Sequence, residues 1–134
     1  MSNVYRIGNM ITALKNASMA SKPVIEVMHT NNCESIAKLL ERTGFLAEVK
    51  TFKPKGTSVK RLSLTLANGA DGSFKLTNTK LYTKPSRRIY VKSSELMPVS
   101  GGYGVVVVST PQGYMTGSEA KKKNLGGELI CKVF

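Results

Sequence analysis

VVVVSTPQGYMTGSEAKKKNLGGELICKVF, residues 105–134, closes the chain. Val105 to Val108 read as a short, fully buried strand. Ser109 and Thr110 emerge at its end, where small hydroxyls reach a ligand with no bulky side chain between. Thr116-Gly117-Ser118-Glu119 has the spacing of a capping box, so a helix begins there and carries Ala120 to Lys123. Asn124 and Gly126-Gly127 end that helix, and Glu128 to Phe134 return as a strand. The loop therefore offers two hydroxyls, the backbone amides near Gly113 and the amino end of a helix at one edge. Such short-reach groups suit phosphates, 2′-hydroxyls and base edges.

Upstream, the pattern alternates between helix and strand. Val4, Ile7, Ile11 and Leu14 fall on one helical face. Pro23 to Met28 reads as a strand entered at a proline. Asn31 and Glu34 stand at capping-box spacing before the stripe Cys33, Ile36, Ala37, Leu39 and Leu40, with Gly44 as the stop. Phe45 to Phe52 and Val59 to Leu66 are strands around the turn Lys53-Pro54-Lys55-Gly56, and Leu62, Leu64 and Leu66 alternate with Ser63 and Thr65. The fold class is α+β in two small lobes. Residues 1–67 form an α-β-α-β-β lobe, 68–73 a linker or hairpin tip, and 74–134 a mainly β lobe with a short helix.

Charge narrows the partner. Lys and Arg total 20 against 8 acids, a net of +12 and a pI near 9.9. Between Lys50 and Lys92 stand eleven basic residues and one acid, Asp71, so that segment alone carries +10. A balance of this kind calls for a polyanion, because neutralising phosphates releases condensed counterions. In Arg88-Ile89-Tyr90-Val91-Lys92, alternation puts Arg88, Tyr90 and Lys92 on one face. Two cations flanking an aromatic either stack on bases and hold phosphates, or are a solvated pair beside a tyrosine bridging core and water.

Residues 1–25 contain Arg6, Lys15 and Lys22 and no acid. An acid-free, Ser-containing amphipathic helix fits a mitochondrial targeting segment, and it equally fits a first helix packed on a sheet. No stretch reaches the ~20 apolar residues that span a bilayer. Cys33 and Cys131 match no CxxC spacing and read as buried thiols in a reduced compartment.

Enzyme chemistry finds no support. His29 and Cys33 sit four apart without a third ligand, so no metal is expected. Ser109 lacks a GxSxG elbow and a nearby base. Ser100-Gly101-Gly102-Tyr103-Gly104 precedes a strand with no GK[ST] after it, which excludes a phosphate-binding loop. Neither a cofactor nor a small-molecule substrate is implied.

Residues 109–134 resemble the carboxyl-terminal signature of small-subunit ribosomal protein eight of the bacterial type. Ser109, Thr110, Gly113, Met115, Thr116, Glu119, Ala120, Gly126, Gly127 and Glu128 match its pattern in register. Lys84-Pro85-Ser86-Arg87-Arg88-Ile89-Tyr90-Val91 resembles its Lys-Pro-Gly-x-Arg-x-Tyr segment. Ile36 to Leu40 and Gly44-Phe45 are similar to its second helix and exit. The resemblance implies a structural protein that binds the central domain of small-subunit ribosomal RNA, beside neighbouring ribosomal proteins. Ser109 and Thr110 would contact a distorted helix, near the Gly126-Gly127-Glu128 corner. Arg87, Arg88, Tyr90 and Lys92 would line the same RNA face, with Lys121 and Lys122 neutralising phosphates. Thr12, Lys15 and Asn16 would form a second patch. Pro111 departs from the pattern by replacing a serine, which removes a hydroxyl and a backbone donor. Asn3 to Gly8 replace the usual aspartates, and Lys121-Lys122-Lys123 lengthens the basic step. The compartment expected is the mitochondrial matrix, with plastid or bacterial cytoplasm as alternatives. A general nucleic-acid binder or RNA chaperone acting through charge is the competing reading.

Overall fold

The computed structural model describes residues 3–69, 72–82, 87–96 and 104–134. The chain divides into two units, Met1–Thr77 and Asn78–Phe134. The expected α+β class is met in both. Lys84-Pro85-Ser86, the stretch 97–103 and the side chain of Val4 lie outside the described residues.

In the first unit, α1 (Asn3–Met19) buries Ile7, Met10, Ile11, Leu14 and Ala17, spaced three or four apart. The stripe is core, so α1 is a structural helix of the lobe. β1 (Val24–Met28) follows, then α2 (Asn31–Arg42). The start of α2 departs from expectation. Thr30 is its N-cap, the hydroxyl accepting from the Cys33 N–H at 3.0 Å. Glu34 does not reach back to close a box with Asn31. Its carboxylate is held by the Thr51 hydroxyl at 2.9 Å and by His29 at 3.0 Å, tertiary partners that win over the local one. Gly44, with φ +95°, ends α2 at a cost only glycine avoids.

β2 (Leu46–Phe52) and β3 (Arg61–Leu66) complete an antiparallel sheet in the order β1-β3-β2. Leu62, Leu64 and Leu66 are buried while Arg61, Ser63 and Thr65 are half-buried, the alternation read from sequence. α1 and α2 cover the leucine face. Asn68 pairs with Phe74 in an isolated antiparallel bridge of this unit. Gly69 N–H donates to the Ser73 carbonyl at 2.6 Å, and Lys75 N–H to that of Ala67 at 3.0 Å.

The second unit is one five-stranded antiparallel sheet. β4 (Thr79–Leu81), β8 (Gly127–Val133), β6 (Val105–Thr110) and β7 (Gly113–Thr116) lie in that order, and β5 (Tyr90–Val91) pairs with the first residues of β8. Two elements differ from the sequence reading. Ser109 and Thr110 are the last residues of β6, not loop. Gly113 to Thr116, read as loop, is a strand, because a two-residue turn at Pro111-Gln112 folds it back onto β6. A 3₁₀ turn occupies Ser93–Glu95.

The capping box at Thr116 forms as expected. Its hydroxyl accepts from Glu119 N–H at 3.2 Å and Glu119 Oε1 accepts from Thr116 N–H at 3.5 Å, starting α3 (Gly117–Lys122). α3 packs Ala120 on Val108 and Met115, with Leu96 and Leu129 around them. A shift of register between Val107 and Val108 marks a bulge at Ile130 of β8.

Candidate nucleic-acid interface

The ladder of the second unit assembles a row that sequence separation hides. Tyr90 of β5 stands opposite Glu128 of β8, Glu128 opposite Ser109 of β6, and Ser109 opposite Tyr114 of β7. Directly opposed residues share a face, so four strands set these four side chains side by side over ~15 Å. Val108 and Met115, one residue away, face α3 on the other side. One face is therefore core, and the other is this row.

The close approach that makes the row depends on two glycines. A Cβ on Gly127 would lie 2.0 Å from the Ser109 carbonyl oxygen, and one on Gly126 would lie 2.6 Å from that of Val91. Both obstacles are backbone, which cannot swing aside. The Gly126-Gly127 corner thus draws β5 and β6 onto the start of β8. Glu95 adds a pin, its carboxylate accepting from Lys92 N–H at 2.8 Å.

Chemically the row is mixed. Tyr90 is 67% exposed, so its ring face is free to stack. Arg88 lies 3.6 Å from Glu128 Oε1, with Glu128 the more buried partner. The other oxygen of Glu128, Oε2, is buried and has no hydrogen-bond partner. Arg87, Arg88 and Lys92 are exposed beside it.

Not every expected residue belongs to the row. Thr110 is buried and faces away from it. Its hydroxyl donates to the Gly113 carbonyl at 2.8 Å and accepts from Gln112 N–H at 3.2 Å, which ties the turn together. Gly113, at φ +113°, supplies the left-handed step. Pro111 sits in the exposed turn. Lys121 and Lys122 ride on α3, across the sheet from the row, and Lys121 Nζ donates to the Leu96 carbonyl at 3.3 Å. In the first unit, Thr12 and Asn16 are exposed one turn apart on α1, with Lys15 half-buried beside them. Tyr114 was missed in the sequence. Recognising Pro111-Gln112 as a two-residue turn would have placed it opposite Ser109.

Elsewhere the titratable groups are structural. Burial pushes the Cys131 thiol up to about 12 and also raises Cys33. Hydrogen bonds from Thr51 and then His29 hold Glu34 below the usual carboxylate range. Among the described residues, no three His, Cys, Asp or Glu side chains gather as a metal site, and no helix is long and apolar enough to cross a membrane.

A polar row flanked by cations, on the sheet of a chain of net +12, fits the class of nucleic-acid-binding proteins. The family model for ribosomal protein S8 matches residues 6–134. Similar chains include small ribosomal subunit protein uS8 of Chlamydia trachomatis serovar L2b, 40% identical over 96% of this chain and 95% of that one. The corresponding protein uS8c of Lepidium virginicum is 36% identical over 96% of each chain. The uS8 of Ruthia magnifica is 34% identical over 100% of both. The chain belongs to the ribosomal protein S8 family. It is a structural component of the ribosome and not an enzyme.

Proposed function

We propose that the chain binds the central domain of small-subunit ribosomal RNA through the Tyr90–Glu128–Ser109–Tyr114 row. The observation that carries this is the register that aligns those four residues across β5, β8, β6 and β7. A carboxylate at the centre repels phosphate, so the row meets donors: base amino groups and 2′-hydroxyls. Ser109 offers a hydroxyl next to it, and Tyr90 a stacking surface. Phosphates fall to the flanks, on Arg87, Arg88 and Lys92. Thr110, Gly113, Gly126 and Gly127 act by shaping the hairpin and corner, and Thr12, Lys15 and Asn16 make a second contact from α1. Lys121 and Lys122 add long-range attraction that carries no shape information.

The test compares Glu128→Gln and Ser109→Ala with the charge reversal Lys121→Glu/Lys122→Glu. Affinities for a central-domain fragment and for an unrelated RNA of equal length are read by filter binding. The first pair lowers discrimination by roughly tenfold or more, because each leaves a ligand donor or acceptor unpaired. The reversal weakens both RNAs alike. Equal loss of discrimination from both sets of changes refutes the assignment and favours a charge-driven chaperone.

The ribosome we assign it to is mitochondrial. Supporting this, residues 1–25 carry three cations and no acid. Fractionation of cells expressing a tagged chain decides it: recovery with plastid ribosomes, or with those of a bacterial cytoplasm, overturns the assignment.

A further inference from the structure

The sheet of the first unit has a second face, opposite the leucines, that α1 and α2 leave open. The register sets Glu26, Ser63 and Lys50 in one row across it, and Met28, Arg61 and Phe52 in the next. Val24 and Met28 are 49% and 45% exposed there. Arg61 Nη2 reaches over β1 to the Glu26 carbonyl at 3.4 Å. A shallow groove of ≈ 400 Å³ runs between Glu26, Lys50 and Phe52.

The distribution of acids sets this face apart. Among the described residues, Glu34, Glu41, Glu95, Glu119 and Glu128 each hold an amide or side chain of their own unit. The remaining two, Glu26 and Glu48, both stand on the open face, where Glu48 pairs with Lys50 at 2.8 Å. In a chain of net +12, carboxylates and exposed apolar groups are thus gathered on one surface. Lys50 and Arg61 balance the two carboxylates, so this face is close to neutral and lacks the positive charge that draws phosphate to the rest of the chain. An apolar patch crossed by charges of both signs, with an exposed carboxylate at Glu26, complements a protein that brings apolar and cationic side chains.

We propose that this open face docks a neighbouring small-subunit protein, whose apolar residues cover Val24 and Met28 and whose Lys or Arg meets Glu26. The proposal rests on the ribosomal reading above. Docking is face-on and not by strand addition at β2, since Glu41 Oε2 already accepts the Val49 N–H at 3.1 Å on that strand.

Met28 reports on it directly. Its oxidation by hydroxyl radicals is followed by mass spectrometry in the free chain, with the central-domain RNA fragment, and after adding small-subunit proteins extracted from the same ribosomes. Met10, 1% exposed, is the buried reference. Met28 reacts equally in the first two states and falls roughly tenfold in the third. The double variant Glu26→Lys/Glu48→Lys keeps its discrimination between the fragment and an unrelated RNA of equal length and restores Met28 reactivity in the third state. Protection by RNA alone overturns the proposal and makes the face an RNA contact. Persistent reactivity in the assembled particle also overturns it, as does full protection of the double variant. A chain that fails to bind the fragment at all instead refutes the ribosomal reading, and the docking proposal with it.

Discussion

Replacing Gly127 by alanine puts a carbon where β6 already is. The new Cβ would stand 2.0 Å from the Ser109 carbonyl oxygen, 2.9 Å from its carbon and 3.2 Å from Thr110 Cα. An ordinary carbon–oxygen contact is ~3.3 Å, so the strands must separate by roughly 1.3 Å. Forced overpacking of this kind costs ~1–3 kcal/mol. Loss of one ladder hydrogen bond near Ser109 and Glu128 adds ~1 kcal/mol. The sum, about 2–4 kcal/mol, lowers the unfolding temperature of a lobe this small by roughly 8–30 °C. Thermal unfolding by circular dichroism measures it, and filter binding follows the same variant below its midpoint. Affinity for the central-domain fragment should fall there too, because the displaced strand carries Ser109. Gly117→Ala is the control. Its Cβ would meet Val106 Cβ at 3.5 Å, an ordinary contact, at the start of α3. That change leaves the midpoint where it is or raises it. A Gly127→Ala midpoint equal to the wild type, or an equal loss in Gly117→Ala, would refute the reasoning.

Four further outcomes follow from the same geometry. Thr110→Val removes both hydrogen bonds that tie the Pro111-Gln112 turn, and should cost ~1–3 kcal/mol in urea unfolding. Because Glu34 is held below its ordinary value of 4.5, its contribution to stability is complete above that pH. It is lost as pH falls through the lower folded value, so Glu34→Gln should flatten the acid limb of an unfolding titration. Cys33 and Cys131 are free and buried. At pH 9, iodoacetamide should label neither in the native chain and both after unfolding. Arg87→Ala and Lys92→Ala should each reduce the slope of log affinity against log salt by roughly 0.7–1.

Local patterns carried much of this structure. The stripe Ile7, Ile11 and Leu14, the alternation of Leu62, Leu64 and Leu66, and the Thr116–Glu119 box depend on neighbours a few residues apart, and each formed as read. What failed was decided over distance. Glu34 looked like a capping partner for Asn31 until Thr51 and His29, brought in by tertiary structure, engaged its carboxylate. Thr110 looked like a ligand contact beside Ser109, but alternation along β6 sends the two hydroxyls to opposite faces. The row itself joins residues from 90 to 128 through three ladders, one of them bulged, and no periodicity encodes such a register. Glu128 was legible as part of a Gly-Gly-Glu motif, yet its burial between Tyr90 and Ser109 emerges only from the ladder.

The most direct test of RNA recognition by this chain is a filter-binding titration across salt concentrations. It sets the central-domain RNA fragment against a DNA duplex of equal length. Shape-reading by the sheet row predicts that the fragment binds tighter by ~10³-fold or more and that this gap persists as salt rises. Equal affinities that fade together with salt would contradict it, leaving the net charge of +12 as the sole source of binding.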